Sequence, residues 1–372
     1  MSESEPEYRV TTLELFFDLV FVFTLTQLTA LLAADTTWRG FAQVVLMLIV
    51  ILWMYGGYAW LTNHVAPDTP VRRTLLMTGM GGFLLIALAI PDAFAGSGIA
   101  FGIGYLIVNL VHSGLFVSFG GPAAASGMRR LSLFNIVSAV VVLAGGFLPA
   151  SYRYVAYALA LLVMILTPYV NPQQRTIPIR PGHFVERHGL VVIVALGESI
   201  VAIGVGAAGL PVNGQLVLAV VFGLVLAYQF WWSYFGGGQD EIAEHRLAAV
   251  PPSERARKAL AAYGWAHAPI LLGIVVLAVG VKKTIGHATE HLKPAAALAL
   301  AGGVALFLLG EVAFRRVLRI GPVRRRAIGA VAALATVPLG QWVALAQVAA
   351  LTIVFGIVLI PEVRQNAATE RT

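Results

Sequence analysis

Apolar residues run along this chain in blocks of about twenty, separated by short polar, Gly- or Pro-bearing intervals. A block of that length is what an α-helix needs to cross a hydrocarbon layer ~30 Å thick. The blocks predict spans near 11–34, 40–61, 73–92, 99–119, 131–149, 152–170, 188–208, 213–235, 258–281, 294–314, 326–339 and 342–361. "VPLGQ" at 337–341 combines Pro and Gly, and this turn signal divides the last two spans. One long bent helix over 326–361 is the alternative, and it removes a crossing. The fold expected is all-α: a polytopic helical membrane protein with about 12 transmembrane helices.

The pattern also repeats. Aligning Glu14 with Glu186 brings Trp60, at the end of span two, onto Trp232, at the end of span eight. A longer loop at 236–256 then shifts the register, and Arg73 pairs with Lys258 at the start of the third span of each half. The expected organisation is two six-helix repeats, 1–170 and 188–372, within one integral membrane domain. Six spans per half gives both repeats the same orientation. The segment 171–187 is the expected linker, its prolines favouring extended chain.

Composition agrees with the membrane reading: 59% of the 372 residues are apolar and 12% charged, against about 25% charged in soluble domains. Glu3, Glu5 and Glu7 stand where a signal peptide would be positive, so the first helix is expected to stay in the mature protein. With no cysteine, disulfides and thiolate metal sites are excluded. The net charge of +7 is distributed over loops without an aromatic-studded basic surface, which argues against nucleic acid. With twelve spans, 20 of the 25 Lys and Arg fall on the side shared by both termini. By the positive-inside rule that side is cytoplasmic.

The chemistry to explain is the set of polar residues inside these blocks. Glu14 and Asp18, at i and i+4, share a face of the first helix. They sit near its start, where a carboxylate can also favour the helix dipole or snorkel. His183, Glu186 and His188 lie near the interface in the seventh span, and Glu198 lies some ten residues deeper. His267 is mid-span, two residues before Pro269, and is expected to share an interior cavity with Glu198. Asn109, His112, Gln229 and Glu311 complete the set. No Lys or Arg is expected deep in a span, so a cation, a proton or a neutral carboxyl must settle these acids.

Three other patterns are weaker. His183 and Glu186 at i,i+3 with His188 well round the helix would need irregular backbone to hold one metal. "HATEH" at 287–291 matches a zinc-protease string but falls in a short external loop. "GVGAAG" at 204–209 has dinucleotide-loop spacing but follows a membrane helix, not a strand.

"ELFFDLVFVFTLTQL" at 14–28, "HFVERHGLVVIVALGESI" at 183–200 and "YGWAHAPILLG" at 263–273 resemble signature stretches of the bacterial low-temperature-requirement A (LtrA) family. The resemblance covers nearly the whole chain and implies a multi-pass protein of the bacterial cytoplasmic (inner) membrane. It marks Glu14, Asp18, His183, Glu186, His188, Glu198 and His267 as the shared polar set, and it implies no defined chemical activity or cofactor. A fainter likeness to two-repeat endolysosomal potassium channels fails at Arg9 and at Gly189–Leu190.

The function expected is a cation- or proton-linked transporter or channel with an intramembrane carboxylate/His site, acting on a cation, proton or small solute amid membrane lipid. The alternatives are an intramembrane acid–base or metal-dependent enzyme on a lipid-soluble substrate, and a non-catalytic membrane sensor or assembly factor. Flux with a purified protein separates the first from the others.

Overall fold

The computed structural model describes residues 10–170 and 177–369, so the part of the expected linker at 171–176 lies outside the described residues. Every element among the described residues is helical. The order begins α1 (Thr12–Ala34), α2 (Trp38–His64), α3 (Pro70–Ala89), α4 (Gly98–Phe119), α5 (Gly121–Gly146) and α6 (Ala150–Val170). It continues with α7 (Pro181–Ala207), α8 (Gly214–Phe235), and two short helices, α9 (Gln239–Ala248) and α10 (Pro252–Ala259). A π-helical turn, Leu260–Trp265, leads into α11 (His267–Ile285), followed by α12 (Pro294–Leu318), α13 (Arg324–Leu334), α14 (Val337–Trp342) and α15 (Ala344–Thr369).

Ten helical stretches, from Thr12–Ala34 to Pro294–Leu318, are long and apolar enough to cross a membrane, and Ala344–Ile360 is a shorter apolar helix. The first ten predicted spans each fall on one of the ten. The eleventh, 326–339, is divided between α13 and α14, which have 11 and 6 residues. The helix is interrupted at Ala335–Thr336 and again at Val343, so the residues of the 337–341 signal lie within α14, between the two breaks. Pro338 sits in the first turn of α14, where a missing N–H costs nothing. Span seven starts at Pro181, so the end of the expected linker is helix and carries His183, Glu186 and Arg187.

The interior is apolar, and so is much of the surface. Leu15, Leu19, Leu88, Leu159, Ile200 and Ile353 are exposed, while Glu14, Asp18, Asn109, His112, Glu198 and Glu311 are buried. A hydrocarbon solvent enforces this arrangement, since it accepts leucine but offers no hydrogen bond to a carboxylate.

The chain forms two compact units, one of Met1–Gln27, Leu46–Val191 and Ala243–Leu260, the other of Leu28–Val45, Val192–Ile242 and Ala261–Thr372. In the first, α3 and α4 approach so closely that a methyl on Gly104 would lie 2.7 Å from the Gly82 carbonyl oxygen. Small residues let backbones meet where lipid gives no hydrophobic drive to associate. At the ends of α3 and α5, carbonyls of Ala93, Ala95 and Leu148 accept hydrogen bonds from Arg153.

In the second unit α11 and α12 meet through Gly273 and Gly303, where a methyl on Gly303 would lie 2.8 Å from the Gly273 oxygen. Leu292 N–H donates to Gly340 O, Ala344 N–H to Glu290 O and Leu345 N–H to Ala288 O. The α14–α15 junction is thereby tied to the α11–α12 loop. Gln347 Nε2 donates to Ala297 O at 2.8 Å, and Thr336 Oγ1 to Ala333 O at 2.7 Å. These side chains satisfy polar groups where the helix is interrupted, as an apolar surround demands.

Candidate functional site

The start of α1 explains why the chain tolerates its first carboxylate. "TTLE" at 11–14 is a capping box. Thr11 N–H and Oγ1 both donate to Glu14 Oε2 at 2.8 Å, and Glu14 N–H donates to Thr11 Oγ1 at 3.4 Å. One oxygen of Glu14 therefore serves the helix end. The other, Oε1, faces α7, where His183 Nε2 lies 3.0 Å away.

One turn further along both helices the pattern recurs. Asp18 follows Glu14 by four residues, Arg187 follows His183 by four, and Arg187 Nη1 donates to Asp18 Oδ2 at 2.8 Å. The same guanidinium donates to Glu14 O at 3.0 Å, and its Nε is 3.8 Å from Glu14 Oε1. From α2, the Tyr55 hydroxyl lies 3.0 Å from Asp18 Oδ1 and 3.1 Å from Arg187 O. The four charged or titratable side chains are at most 2% exposed, so these charges interact far from bulk water.

The tautomer of His183 follows from Asn63 at the end of α2. Arg180 N–H donates to Asn63 Oδ1 at 2.9 Å and Asn63 Nδ2 donates to Arg180 O at 3.0 Å, which fixes the amide's orientation. The amide nitrogen then faces His183 Nδ1 at 3.3 Å. A donor there makes Nδ1 the acceptor, so the ring proton sits on Nε2 and is donated to Glu14. Two carboxyl groups thus face one guanidinium and one imidazole within a single buried cluster.

Arg187 is the residue that sequence reading missed. The expectation that no Lys or Arg neutralises these acids is corrected here and at Arg326: both are buried, against Asp18 and Glu311. Arg187 was counted with the linker because α7 was expected to begin at 188. The available signal was its i+4 spacing from His183, matching that of Glu14 and Asp18.

The other expected residues are distributed. Glu186 is exposed and accepts a hydrogen bond from Val10 N at 3.3 Å, apart from the cluster. His188 is buried, its Nδ1 donating to Phe184 O at 2.8 Å and its ring 4.4 Å from that of Phe184. His183, Glu186 and His188 thus do not converge, and no group of three metal-ligating His, Asp or Glu side chains occurs among the described residues. His112 Nε2 donates to Gly57 O at 3.0 Å. "HATEH" forms surface contacts, His287 Nδ1 to Glu290 Oε2 and His291 Nδ1 to Gln341 O, each at 2.9 Å.

The second unit contains its own buried polar groups. Glu311 Oε2 accepts from Ser233 Oγ and from Arg326 Nε, the latter at 2.9 Å. Gln229 Nε2 donates to Thr352 O at 2.9 Å, and Glu198 is 3% exposed. The π turn shapes the His267 environment. Ala266 N–H bonds Ala261 O, five residues back, which frees Ala262 O for His267 Nδ1 at 2.9 Å. A carbonyl only accepts, so the proton is on Nδ1, and Nε2 receives the Tyr234 hydroxyl at 2.8 Å.

Comparison with known proteins places the chain in a family. The family model described as "Bacterial low temperature requirement A protein (LtrA)" matches residues 9–361. A Rhizobium meliloti (strain 1021) protein, "Uncharacterized protein RA0937", is 31% identical over 328 residues, covering 85% of this chain and 79% of its own length. No solved structure matches. With nearly its whole length matched, and with the paired carboxylates of α1 and the basic turn of α7 inside the matched range, the chain belongs to the bacterial low temperature requirement A (LtrA) protein family.

Proposed function

We propose that this protein is a cation- or proton-linked transporter or channel of the bacterial cytoplasmic membrane, with Glu14, Asp18, His183 and Arg187 as its charge-responsive centre. The observation that carries the reading is the convergence of two buried carboxyl groups on one guanidinium and one histidine. An unmatched charge away from water is costly, and a proton or a cation removes the cost. His183 joins α7 to that cluster, with Glu14 from α1 and Asn63 from α2 at its two ring nitrogens. In the second unit we assign Glu198 and His267 as further polar positions, open to the same test.

Twelve crossings with both termini in the cytoplasm fit this reading. The support is the path of 324–342. It leaves the Arg-bearing end of α12 and arrives, at Gly340 and Ala344, beside the loop that begins α12. A helix broken at Ala335–Thr336 therefore returns along the length of α12, and α15 runs back. The close α3–α4 and α11–α12 glycine contacts, third and fourth spans of each half, favour two repeats in one orientation.

The test is flux in liposomes. The wild type is expected to carry protons or monovalent cations, Glu14→Gln and Asp18→Asn to lose most of that flux, and Glu198→Gln to lose it or its pH dependence. Wild-type protein that is folded and carries neither protons nor cations would overturn the proposal.

A further inference from the structure

Between α13 and α15 lies a groove of about 480 Å³, lined by Ile328, Gly329, Val354, Ile357 and Val358, with Arg325 at one end. A methyl on Gly329 would lie 2.5 Å from Val358 Cγ2, so the absence of a side chain there sets the floor of the groove. Ile328 and Ile357 are exposed at its rims, 58% and 60%. From Arg325 to Ala332 the groove runs about 10 Å along α13, at 1.5 Å per residue.

The charges divide at this turn. Arg326 points inward to Glu311, whereas Arg324 and Arg325 are exposed. Arg316 and Arg319, on the preceding turn and loop, are exposed as well. The first turn of α13 contains no acidic residue. Placing arginines at a helix N-terminus opposes the dipole, and an anion beside them reverses that penalty. An apolar slot within a membrane, closed at one end by cations, matches one kind of molecule: a chain of methylenes ending in a phosphate.

We infer that this groove is a binding site for an anionic glycerophospholipid, one acyl chain lying between α13 and α15 and the phosphate meeting Arg325 and Arg324. The inference is independent of the transport proposal. It also adjoins the turn that presents Arg326 to Glu311, so an occupied groove steadies the broken helix beside α12.

Retention of phosphatidylglycerol and of phosphatidylcholine with the same acyl chains is to be measured on the purified full-length protein by native mass spectrometry. The wild type is expected to retain phosphatidylglycerol preferentially. The Arg324→Gln/Arg325→Gln double variant should lose roughly 10- to 30-fold of that preference, at about 1 kcal/mol per basic side chain near anionic lipid. Ile357→Trp, which fills the slot from an exposed position, should lower retention of phosphatidylglycerol while both arginines remain. Glycerol phosphate, the headgroup without chains, should not compete. Equal retention of the two lipids overturns the inference, as does a double variant with unchanged preference. Wild-type retention by Ile357→Trp, or full competition by glycerol phosphate, would show that the groove is not the site. Matching melting curves without added lipid establish that each variant is folded.

Discussion

At the scale of single residues, the buried cluster makes unequal demands on its members. Removing Arg187 leaves Glu14 and Asp18 facing one another without a cation, and breaking a buried ion pair in this way costs about 3–5 kcal/mol. Asp18→Asn instead leaves Arg187 beside Glu14, with Nε 3.8 Å from its Oε1. Arg187→Met is therefore expected to lower the thermal midpoint of the purified protein far more than Asp18→Asn. Equal losses would mean that the charge count is not what governs stability here. Asn63 has a narrower role, because its amide fixes which nitrogen of His183 accepts. In protein labelled with ¹⁵N-histidine, His183 at neutral pH should show the neutral ring protonated on Nε2. Asn63→Ala should weaken that tautomer and change the pH dependence of flux, whereas a wild-type imidazolium would contradict the assignment. Glu14 itself was legible as a helix-start carboxylate and as an interior site; the structure assigns one oxygen to each.

At the scale of elements, the ten long spans were legible because a twenty-residue apolar block leaves an α-helix few alternatives. The region 324–342 was not, since its sequence contains enough Ala, Gly and Pro to break and still be housed by hydrogen bonds from Gln347 and Thr336. The absence of native cysteine permits a direct test. Pro322→Cys should be labelled by an impermeant maleimide from the cytoplasmic side alone, and Gln341→Cys from the outer side alone. Labelling of both from one side would show that 324–342 does not cross. The start of α7 was misplaced for a different reason: "HFVERH" is too polar to score as a span, yet its His and Arg are held by α1 and α2 rather than by water.

For the whole molecule, the expectation concerns topology. Twelve crossings return the chain to the side on which it began, so reporters placed after Thr372 and in the 236–256 loop should both read cytoplasm, and one in the 93–98 loop the outside. A C-terminal reporter in the periplasm would remove a crossing and with it the account of the 20-to-5 charge asymmetry.

Sequence by itself determined that this chain is a helical membrane protein of the LtrA type and where its apolar blocks lie. Those are local properties, fixed by hydrophobic length and by short motifs such as T-x-x-E at the start of α1. Tertiary structure alone decided which polar residues meet. Glu14, Asp18, Tyr55, Asn63, His183 and Arg187 come from three helices separated by up to 173 positions, and no periodicity encodes such a convergence. It also separated Glu186 from His183, three residues apart on one helix, by giving one to the surface and the other to Glu14. In a medium without hydrogen bonds, each buried polar group is defined by the partner that packing brings to it, and that partner is not a neighbour in the chain.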